Sequence, residues 1–583
     1  MQSLSSNWAF SRLAERPYLV VAALVALCVA LYWPSAARTP FFTKGESREA
    51  LVVKRMVTDG DWILPQRPSA YGWTIASKPP LFHWLGAATA SAAGAISEIS
   101  VRFPSLLLGG ATVALVGLAA APILGARSAM LAAVILATTF EWTNAAQTAR
   151  VDGTLAAFMT FALLIFYRAF VAGELSSRAA LVAYFCLAAA ALTKGPVGFV
   201  LPGLVLGSAL VLTRQWHMLR ALRPGLGALV IVTIVGGWYL AAWGIGGDPF
   251  FEKHVLKENV FRFLGGGDRS SGHDHAPPYY IMALAVGFLP WSPVLVGALI
   301  AALRKGTERR DPRLGFLLAW FGTVFVFYSV ASSKRSVYLL ALYPAAALLS
   351  GWWIETLPGA SAPSWLRART SRTIQRCICA IVAIPLLVVV LERLGAEPLN
   401  LLIPLLKPKD QANLPLVRGV ILGNAPLVLL SSGAVLAAVI LGFRTLRNAQ
   451  WLRAFASVAV LASTLWILVF AVFRPEIAHR RSLATFMAWA VAETRSADLY
   501  FYPPSFDFGA AFYAPDGVRY LADVALPGGQ SRWVLIWDRD FAALTPEERA
   551  RLEVLKTSEG TDPKGKRHMM LAKLRPSDQE PSG

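Results

Sequence analysis

Long apolar runs, separated by short polar segments, recur along the chain from Pro17 to about Phe473. A helix of roughly twenty apolar residues crosses the ~30 Å hydrocarbon core of a bilayer. The pattern therefore predicts a polytopic α-helical membrane protein with about thirteen transmembrane helices. The predicted spans lie near residues 17–33, 103–123, 128–146, 151–171, 179–193, 195–213, 226–246, 279–303, 314–331, 337–356, 375–395, 419–443 and 454–473.

In this register every second short loop carries the basic residues, among them Arg127, Arg214 and Arg304, and such loops are expected to be cytoplasmic. The apolar piece Pro80–Ile99 is assigned to the membrane interface, because counting it as a span would move most of these arginines outside. A transmembrane domain is therefore predicted over residues 1–473. Its first outer loop, with juxtamembrane helices, covers 34–102, and a second, flexible outer loop covers 247–278.

Residues 474–583 have an ordinary polar composition and are expected on the outer side. Strand-like runs at Leu499–Tyr502 and Trp533–Trp537, and a capped helix start at Thr545, predict a small α/β domain. The last twenty or so residues are rich in Lys, Pro, Ser and Gly, and we expect them to be frayed.

The composition excludes a chain of soluble domains, since 56% of the residues are hydrophobic and 15% are charged. The net charge of +20 is first a topology signal, so no nucleic-acid partner is expected. The four cysteines fall in or beside apolar segments, without the spacing of a metal site. No P-loop or other nucleotide-binding motif is present, which disfavours an ATP-driven pump.

Several cations lie on the expected outer side, where the topology rule does not require them, although they come from separate parts of the chain. These are Arg48, Lys78, Lys194, Arg262, Lys334 and Arg335. They could extend to lipid headgroups from the span ends. Alternatively, they could form an anion site at the membrane surface, where the phosphate or pyrophosphate of a lipid would bind while its tail stays in the bilayer.

Carboxylates are few on that side, and two are candidates for acid–base chemistry. Asp152 precedes an apolar span and could simply cap the helix that begins at Gly153 or Thr154. Glu46 starts a helical stretch that ends near Val57, where an acid is favourable because of the helix dipole. Either carboxylate could also take a proton from an acceptor hydroxyl.

The loop 247–278 concentrates further polar residues that could contact a substrate. They are His254, Glu258, Asn259, His273 and His275. The His-Asp-His sequence could bind a divalent metal, but no third ligand has the spacing of a known site, so the metal and any other cofactor stay undetermined. Three consecutive glycines, 265–267, favour a loop that orders over a substrate.

Four sequence blocks resemble the GT-C glycosyltransferases that use polyprenyl-phosphate sugars, in the bacterial branch of the protein O-mannosyltransferases and the lipid A aminoarabinose transferase. The blocks are Gly45–Ala50 with Gly60–Pro65, Ser77–Trp84, Glu258–Ser292, and Ser332–Leu340. Asp152 and Lys194 fall between them in the order of the family, and the resemblance covers about residues 10–355.

The resemblance implies a catalytic base at the aspartate of an Asp-Glu pair in the first outer loop. Here the pair reads Gly45-Glu46, so the base role passes to Glu46 or to Asp152, which matches the second acidic position of the family. It also implies that Lys78, Arg262 and Tyr338 hold the donor phosphate, with Arg48 nearby. The aminoarabinose enzymes have an acid before the lysine of the Lys-Pro-Pro block, where this chain has Ser77.

The sequence therefore predicts an inverting glycosyltransferase of the bacterial inner membrane, with its active site and its C-terminus facing the periplasm. It would move a sugar from an undecaprenyl-phosphate donor to lipid A or another envelope glycan, and a monomer would suffice. Two alternatives stay open: a protein O-glycosyltransferase of the same architecture, and a non-enzymatic lipid or solute transporter.

Overall fold

The computed structural model describes most of the chain, and the statements below concern those residues. They are 17–69, 72–261, 278–309, 311–331, 334–356, 384, 387–406, 411, 414–424, 429, 432–433, 436–437, 440, 451–495, 498–515, 518–521, 532–562 and 565–575.

The part that crosses the membrane is helical throughout. Its helices are α1 Pro17–Arg38, α4 Glu98–Leu124, α5 Ala126–Ala137, α6 Phe140–Ala146, α7 Val151–Ala172, α8 Ser177–Lys194, α9 Val197–Thr213, α10 Met218–Ala221, α11 Pro224–Ile231, α12 Gly237–Phe251, α13 Tyr279–Gly287, α14 Ser292–Arg309, α15 Pro312–Val330, α16 Tyr343–Thr356, α17 Leu414–Gly423 and α18 Trp451–Trp466. Wider π-helical turns cover Val232–Gly236, Glu252–Phe261 and Ile467–Phe473, and tighter 3₁₀ turns cover Ser336–Leu342 and Pro398–Leu405.

Within the described residues, eight helical segments are long and apolar enough to cross a membrane, or ten if two bent pairs are each counted as one span. The polytopic helical fold is thus confirmed. The predicted spans 375–395 and 419–443 lie largely outside the described residues, so the count of thirteen stays a prediction.

Two predicted spans, 128–146 and 279–303, are broken rather than straight. Helices α5 and α6 meet at 66°, and α13 and α14 meet at 113° around Pro290, whose ring cannot continue the helix. The two breaks satisfy each other, because the Phe140 amide donates to the Leu289 carbonyl at 3.0 Å and the Trp291 indole donates to Thr138 Oγ1 at 2.9 Å. Backbone N–H and C=O groups that a break frees within a membrane span require hydrogen-bond partners in the protein, because lipid tails offer none.

The first outer loop contains α2 Lys44–Asp59, a hairpin of β1 Gln66–Ser69 with β2 Gly72–Ile75, and α3 Leu81–Ala93. Helix α2 starts at Thr43, whose hydroxyl accepts from the Glu46 amide, and ends at Gly60, whose φ of 77° favours glycine. Helix α3 has 13 residues, too few to cross a bilayer, in agreement with the interfacial prediction.

The C-terminal residues form the predicted α/β unit. Its elements are α19 Arg474–Arg481, α20 Ala484–Glu493, β3 Leu499–Phe501, α21 Phe508–Tyr513, β4 Arg519–Tyr520, β5 Arg532–Trp537, α22 Asp538–Ala542, α23 Pro546–Ala550, β6 Leu552–Thr561 and β7 His568–Leu574. The sheet order is β4-β3-β5-β7-β6, and β3 is parallel to β4 and β5. The expected fraying is wrong for β7, because Met569 and Leu571 are buried in the sheet.

This unit packs directly on the first outer loop and shares a hydrophobic core with it. Phe41 and Val53 of the loop lie in the same cluster as Phe486 and Phe512 of the C-terminal unit. The Tyr513 hydroxyl joins the two parts, since it donates to Glu98 Oε1 at 2.6 Å and accepts from the Phe41 amide at 2.7 Å. The C-terminal unit therefore fixes α2, which carries Glu46 and Arg48.

Candidate active site

Asp152 and Lys194 form an ion pair at the expected outer ends of α7 and α8. The two helices are consecutive and antiparallel, so the last residue of α8 returns beside the first turn of α7. Asp152 Oδ1 lies 2.6 Å from Lys194 Nζ, and Oδ2 lies 3.3 Å from Arg150 Nη2. The capping interpretation of Asp152 is wrong, because α7 starts at Val151 and no side chain caps it. An acid in the first turn and a lysine in the last turn each complement a helix dipole.

Two further residues lie near this pair: Tyr338, in the 3₁₀ turn Ser336–Leu342, and Arg335, which directly precedes that turn. The ammonium of Lys194 lies over the Tyr338 ring, 4.0 Å from its centroid. The Arg335 amide donates to the Tyr280 hydroxyl at 3.1 Å, and the Arg335 charge is close enough to Asp152 to interact with it. Lys194, Tyr338 and Arg335 thus lie in the same part of the structure, and their role as phosphate ligands stays a prediction.

A second group of charges lies on α2 and α3. Glu49 pairs with Arg48, and its other oxygen lies 2.9 Å from the Nε2 of His83, which is fully buried. Burial alone would raise the pKa of Glu49, but Arg48 and His83 lower it far below its usual value. Sequence reasoning missed Glu49 and His83, although both lie within the blocks that carry the family resemblance.

Lys78 connects this group to the segment Glu252–Phe261, because its Nζ lies 2.8 Å from Glu258 Oε2. Arg67 of β1 is close enough to interact with Arg48 and Glu258, and its buried Nε has no hydrogen-bond partner among the described residues. Burial, and after it the charge of Arg48, lower the pKa of Arg67.

Arg48 links the two groups. Its pKa is raised chiefly by Glu49, and Glu258 and Asp152 contribute in the same direction. A single region therefore contains five cations, which we call the outer cation cluster: Arg48, Arg67, Lys78, Lys194 and Arg335. Such an arrangement can bind a phosphate or pyrophosphate group.

Glu46 lies apart from this cluster, in a buried ion-pair network. Its Oε1 accepts from Arg102 Nε at 2.8 Å and from the Ala149 amide at 3.1 Å, while Arg474 lies 3.7 Å from Oε2. Burial would raise the pKa of Glu46, but the two guanidinium groups lower it. Glu46 is 1% exposed and is enclosed by the Arg102 and Arg474 guanidinium groups and the Ala149 amide.

Gly45 stands where the resemblance implies the catalytic aspartate, and the adjacent space is occupied. A Cβ atom at position 45 would lie 2.8 Å from Arg150 Nη1. The absence of a side chain therefore lets the Arg150 guanidinium approach α2 while it contacts Asp152. The sequence pattern gave no signal for this role of Arg150.

The remaining predicted site residues have other surroundings. Lys334 is buried and donates to the Ala331 carbonyl at 2.9 Å, within its own turn. His254 is 3% exposed, its Nε2 lies 2.6 Å from the Ala76 carbonyl, and its ring stacks on Phe250. Arg262, His273 and His275 lie outside the described residues, as does the side chain of Asn259.

His254 Nε2 donates to the Ala76 carbonyl and is therefore not available to a metal ion. No group of three or more His, Cys, Asp and Glu residues within the described ranges could hold a metal ion. His273, Asp274 and His275, which form the His-Asp-His sequence, lie outside those ranges.

Comparison with known proteins shows what the chain is similar to. Residues 77–239 match the family model described as dolichyl-phosphate-mannose-protein mannosyltransferase. A curated relative in Pectobacterium atrosepticum, named undecaprenyl phosphate-alpha-4-amino-4-deoxy-L-arabinose arabinosyl transferase, is 30% identical over 344 residues, which are 57% of this chain and 59% of the relative. An uncharacterized protein of Aquifex aeolicus is 31% identical over 331 residues, which are 56% of this chain and 62% of that protein. The chain thus spans about three fifths of the length of these two relatives.

Solved structures extend the likeness to almost the whole chain. The crystal structure of ArnT from Cupriavidus metallidurans bound to undecaprenyl phosphate has a TM-score of 0.74 and 20% sequence identity, and the match covers 97% of this chain and 98% of that one. The apo form of that protein has a TM-score of 0.73, with 98% of each chain covered. At this identity the likeness establishes the fold, which is the fold of that protein.

Proposed function

We propose that this chain, with its ArnT-like GT-C fold, is a membrane glycosyltransferase that moves a sugar from undecaprenyl phosphate to an acceptor outside the membrane. The observation that carries the proposal is the outer cation cluster, in which Lys194 and Arg335 lie near Asp152 and Arg48 connects them to Arg67 and Lys78. A lipid phosphate fits this position, because its tail stays in the bilayer while its head meets the cations.

The donor phosphate would be held mainly by Lys78, Arg48 and the pair of Lys194 with Tyr338. Arg262, which the family resemblance also implies, would be a further ligand. When the bond between the sugar and the phosphate breaks, its electrons stay on the phosphate oxygen. Fixed cations stabilise this developing charge without reorganisation, and one such group typically contributes about 3–4 kcal/mol.

Asp152 is the better candidate for the carboxylate that orients or deprotonates the acceptor. It interacts with the charges of Arg48 and Arg335, whereas Glu46 is enclosed by Arg102, Arg474 and the Ala149 amide. An acceptor hydroxyl would attack the anomeric carbon from the face opposite the phosphate, and its proton would pass to Asp152. The result is inversion at that carbon.

The acceptor we propose is lipid A or another envelope glycan, in the inner membrane and with the site facing the periplasm. Support comes from relatives named aminoarabinose transferases, including one in Edwardsiella ictaluri that is 27% identical over 324 residues. The basic loops predicted on the opposite side agree with this orientation. Ser77, in place of the acid of those enzymes, leaves the sugar itself open.

Mass spectrometry of total lipids tests the proposal in cells that produce the wild type or Asp152→Asn. We expect only the wild type to add a defined sugar mass to lipid A, while the variant accumulates a polyprenyl-phosphate sugar of the same mass. Asp59→Asn is the matched control, because Asp59 lies at the exposed end of α2. If lipid A is unmodified while surface glycoproteins gain the sugar, a protein O-glycosyltransferase is the better assignment.

A transporter would place its ionisable residues near the middle of its spans. Here the charges of the cluster lie at helix ends and in the first outer loop. Purified chain in proteoliposomes should therefore release polyprenyl phosphate from a labelled donor without any ion gradient. A strict requirement for a gradient would favour transport.

A further inference from the structure

Glu258 places a carboxylate among the cations that would receive the donor phosphate. Its Oε2 lies 2.8 Å from Lys78 Nζ, and the two side chains are 22% and 14% exposed. Glu258 also interacts electrostatically with Arg48 and Arg67. An anion of the chain itself therefore occupies the part of the outer cation cluster around Lys78.

The position of Glu258 is fixed by contacts on the same segment, one to two turns earlier. Lys253 Nζ donates to Thr74 Oγ1 at 2.8 Å and to the Ile75 carbonyl. The His254 ring meets the next carbonyl, that of Ala76, at 2.6 Å. These hydrogen bonds attach the segment to the residues just before Lys78, and they hold the Glu258 carboxylate beside Lys78.

Lys78 Nζ donates to the Glu258 carboxylate, and a phosphate that binds Lys78 competes for the N–H donors of the same ammonium group. Two anions beside the same ammonium also repel each other, because like charges a few ångströms apart are only partly screened near a protein surface. A phosphate therefore binds Lys78 more tightly when Glu258 moves away.

We propose that Glu258 is an internal competitor for the donor phosphate. In the ligand-free chain it satisfies Lys78, it leaves when the donor binds, and it returns to help expel the polyprenyl phosphate after transfer. This inference rests on the proposed function, since it assumes that the ligand at Lys78 is a lipid phosphate. It predicts that removal of the Glu258 charge strengthens phosphate binding and slows its release.

Binding of undecaprenyl phosphate to the purified full-length chain in nanodiscs tests this without turnover. Glu258→Gln keeps the shape of the side chain, and we expect its dissociation constant to fall about two- to fivefold below that of the wild type, a typical range for one partly exposed charge pair. Release of the bound lipid should slow by a similar factor. Glu258→Asp, which keeps the charge, should bind within about twofold of the wild type.

Two comparisons complete the experiment. Glu252→Gln removes an exposed carboxylate at the start of the same segment and should leave binding unchanged. In the double variant Lys78→Gln, Glu258→Gln the gain should vanish, because the competition takes place at Lys78.

The outcomes separate the two ideas. Equal or weaker binding by a folded Glu258→Gln variant overturns the internal competitor while the proposed function stands, and weaker binding would mean that Glu258 contacts the ligand directly. If the wild type itself does not bind undecaprenyl phosphate, the proposed function fails and the inference fails with it.

Discussion

Asp152 and Lys194 meet at 2.6 Å across the hairpin of α7 and α8, and the Tyr338 ring lies beneath the lysine. These two contacts join α7, α8 and the 3₁₀ turn that contains Tyr338 at the expected outer side of the membrane. The pair is largely buried, with the two side chains 6% and 14% exposed. The removal of one partner therefore leaves the other charge uncompensated.

The first prediction concerns the coupling of this pair. Asp152→Asn and Lys194→Gln should each lower the rate of sugar transfer by about a hundredfold or more, because each removes a charge that is preorganised at the reacting centre. The double variant should be little worse than either single variant, since residues that act as a unit are not additive. Single-turnover kinetics with a labelled donor measures all three rates.

Arg313→Gln gives the control, because Arg313 pairs with Asp311 on the opposite side and is 47% exposed. Its rate should match that of the wild type. If the losses of Asp152→Asn and Lys194→Gln multiply in the double variant, the two residues act independently and do not form a functional unit.

The second prediction concerns Glu46, for which its ion-pair network leads us to expect a stabilising role. Glu46→Gln leaves Arg102 and Arg474 without their carboxylate and should lower the free energy of unfolding by about 3–5 kcal/mol. The folded fraction should still bind undecaprenyl phosphate with the affinity of the wild type. Thermal unfolding in detergent tests the first part, and lipid binding tests the second.

The sign of the pH dependence follows from the lowered pKa of Glu46. A depressed pKa contributes stability above the value of the unfolded chain, and that stability is lost as the pH falls through the folded value. The wild type should therefore lose more stability below about pH 4.5 than Glu46→Gln does. Glu174→Gln, at an exposed loop position, should behave as the wild type. An unchanged unfolding midpoint for Glu46→Gln would remove the structural assignment.

The fold followed from the sequence because apolar length and basic loops act locally, and the positions of Lys78, Lys194 and Tyr338 in one site were implied by family blocks. The breaks at Thr138 and Pro290 were harder to predict from the sequence, since each depends on hydrogen bonds to the other break. Hydropathy averages over such interruptions and predicts a straight span.

The roles of Glu46 and Glu49 could not be separated from the sequence. Both lie on α2, three residues apart, and both are acids in the same block. Only packing decides that Glu46 meets Arg102 and Arg474 while Glu49 meets Arg48 and His83. These partners are up to 428 positions away, so no local pattern contains them.

The third prediction uses Asp507, which starts α21 in the C-terminal unit. Burial raises its pKa to about 6, although its carboxylate accepts from the amides of Ala510 and Gly509. A carboxyl whose pKa is higher in the folded chain binds more protons there, so its contribution to stability falls as the pH rises from about 4 to about 6. Asp507→Asn keeps the capping oxygen and removes this cost.

We therefore expect Asp507→Asn to unfold at a higher temperature than the wild type at pH 7 and at a similar temperature at pH 4. Thermal unfolding of the full chain across this range measures the difference. Asp538→Asn is the control, because Asp538 starts the short helix α22 in the same unit. A variant that is less stable than the wild type at pH 7 would mean that the ionised carboxylate is required there.

The fourth prediction concerns the attachment of the C-terminal unit to the first outer loop. Tyr513→Phe removes the hydroxyl that donates to Glu98 and accepts from the Phe41 amide. Two polar groups at a shared hydrophobic core then lose their partner, which should cost about 1–3 kcal/mol. Because the same core holds α2, and α2 carries Arg48, sugar transfer should also slow by several-fold while the affinity for undecaprenyl phosphate changes little. Tyr502→Phe is the control on the sheet side of the unit, and it should alter neither quantity. A Tyr513→Phe variant that is destabilised but transfers sugar at the wild-type rate would show that the C-terminal unit stabilises the loop without positioning Arg48.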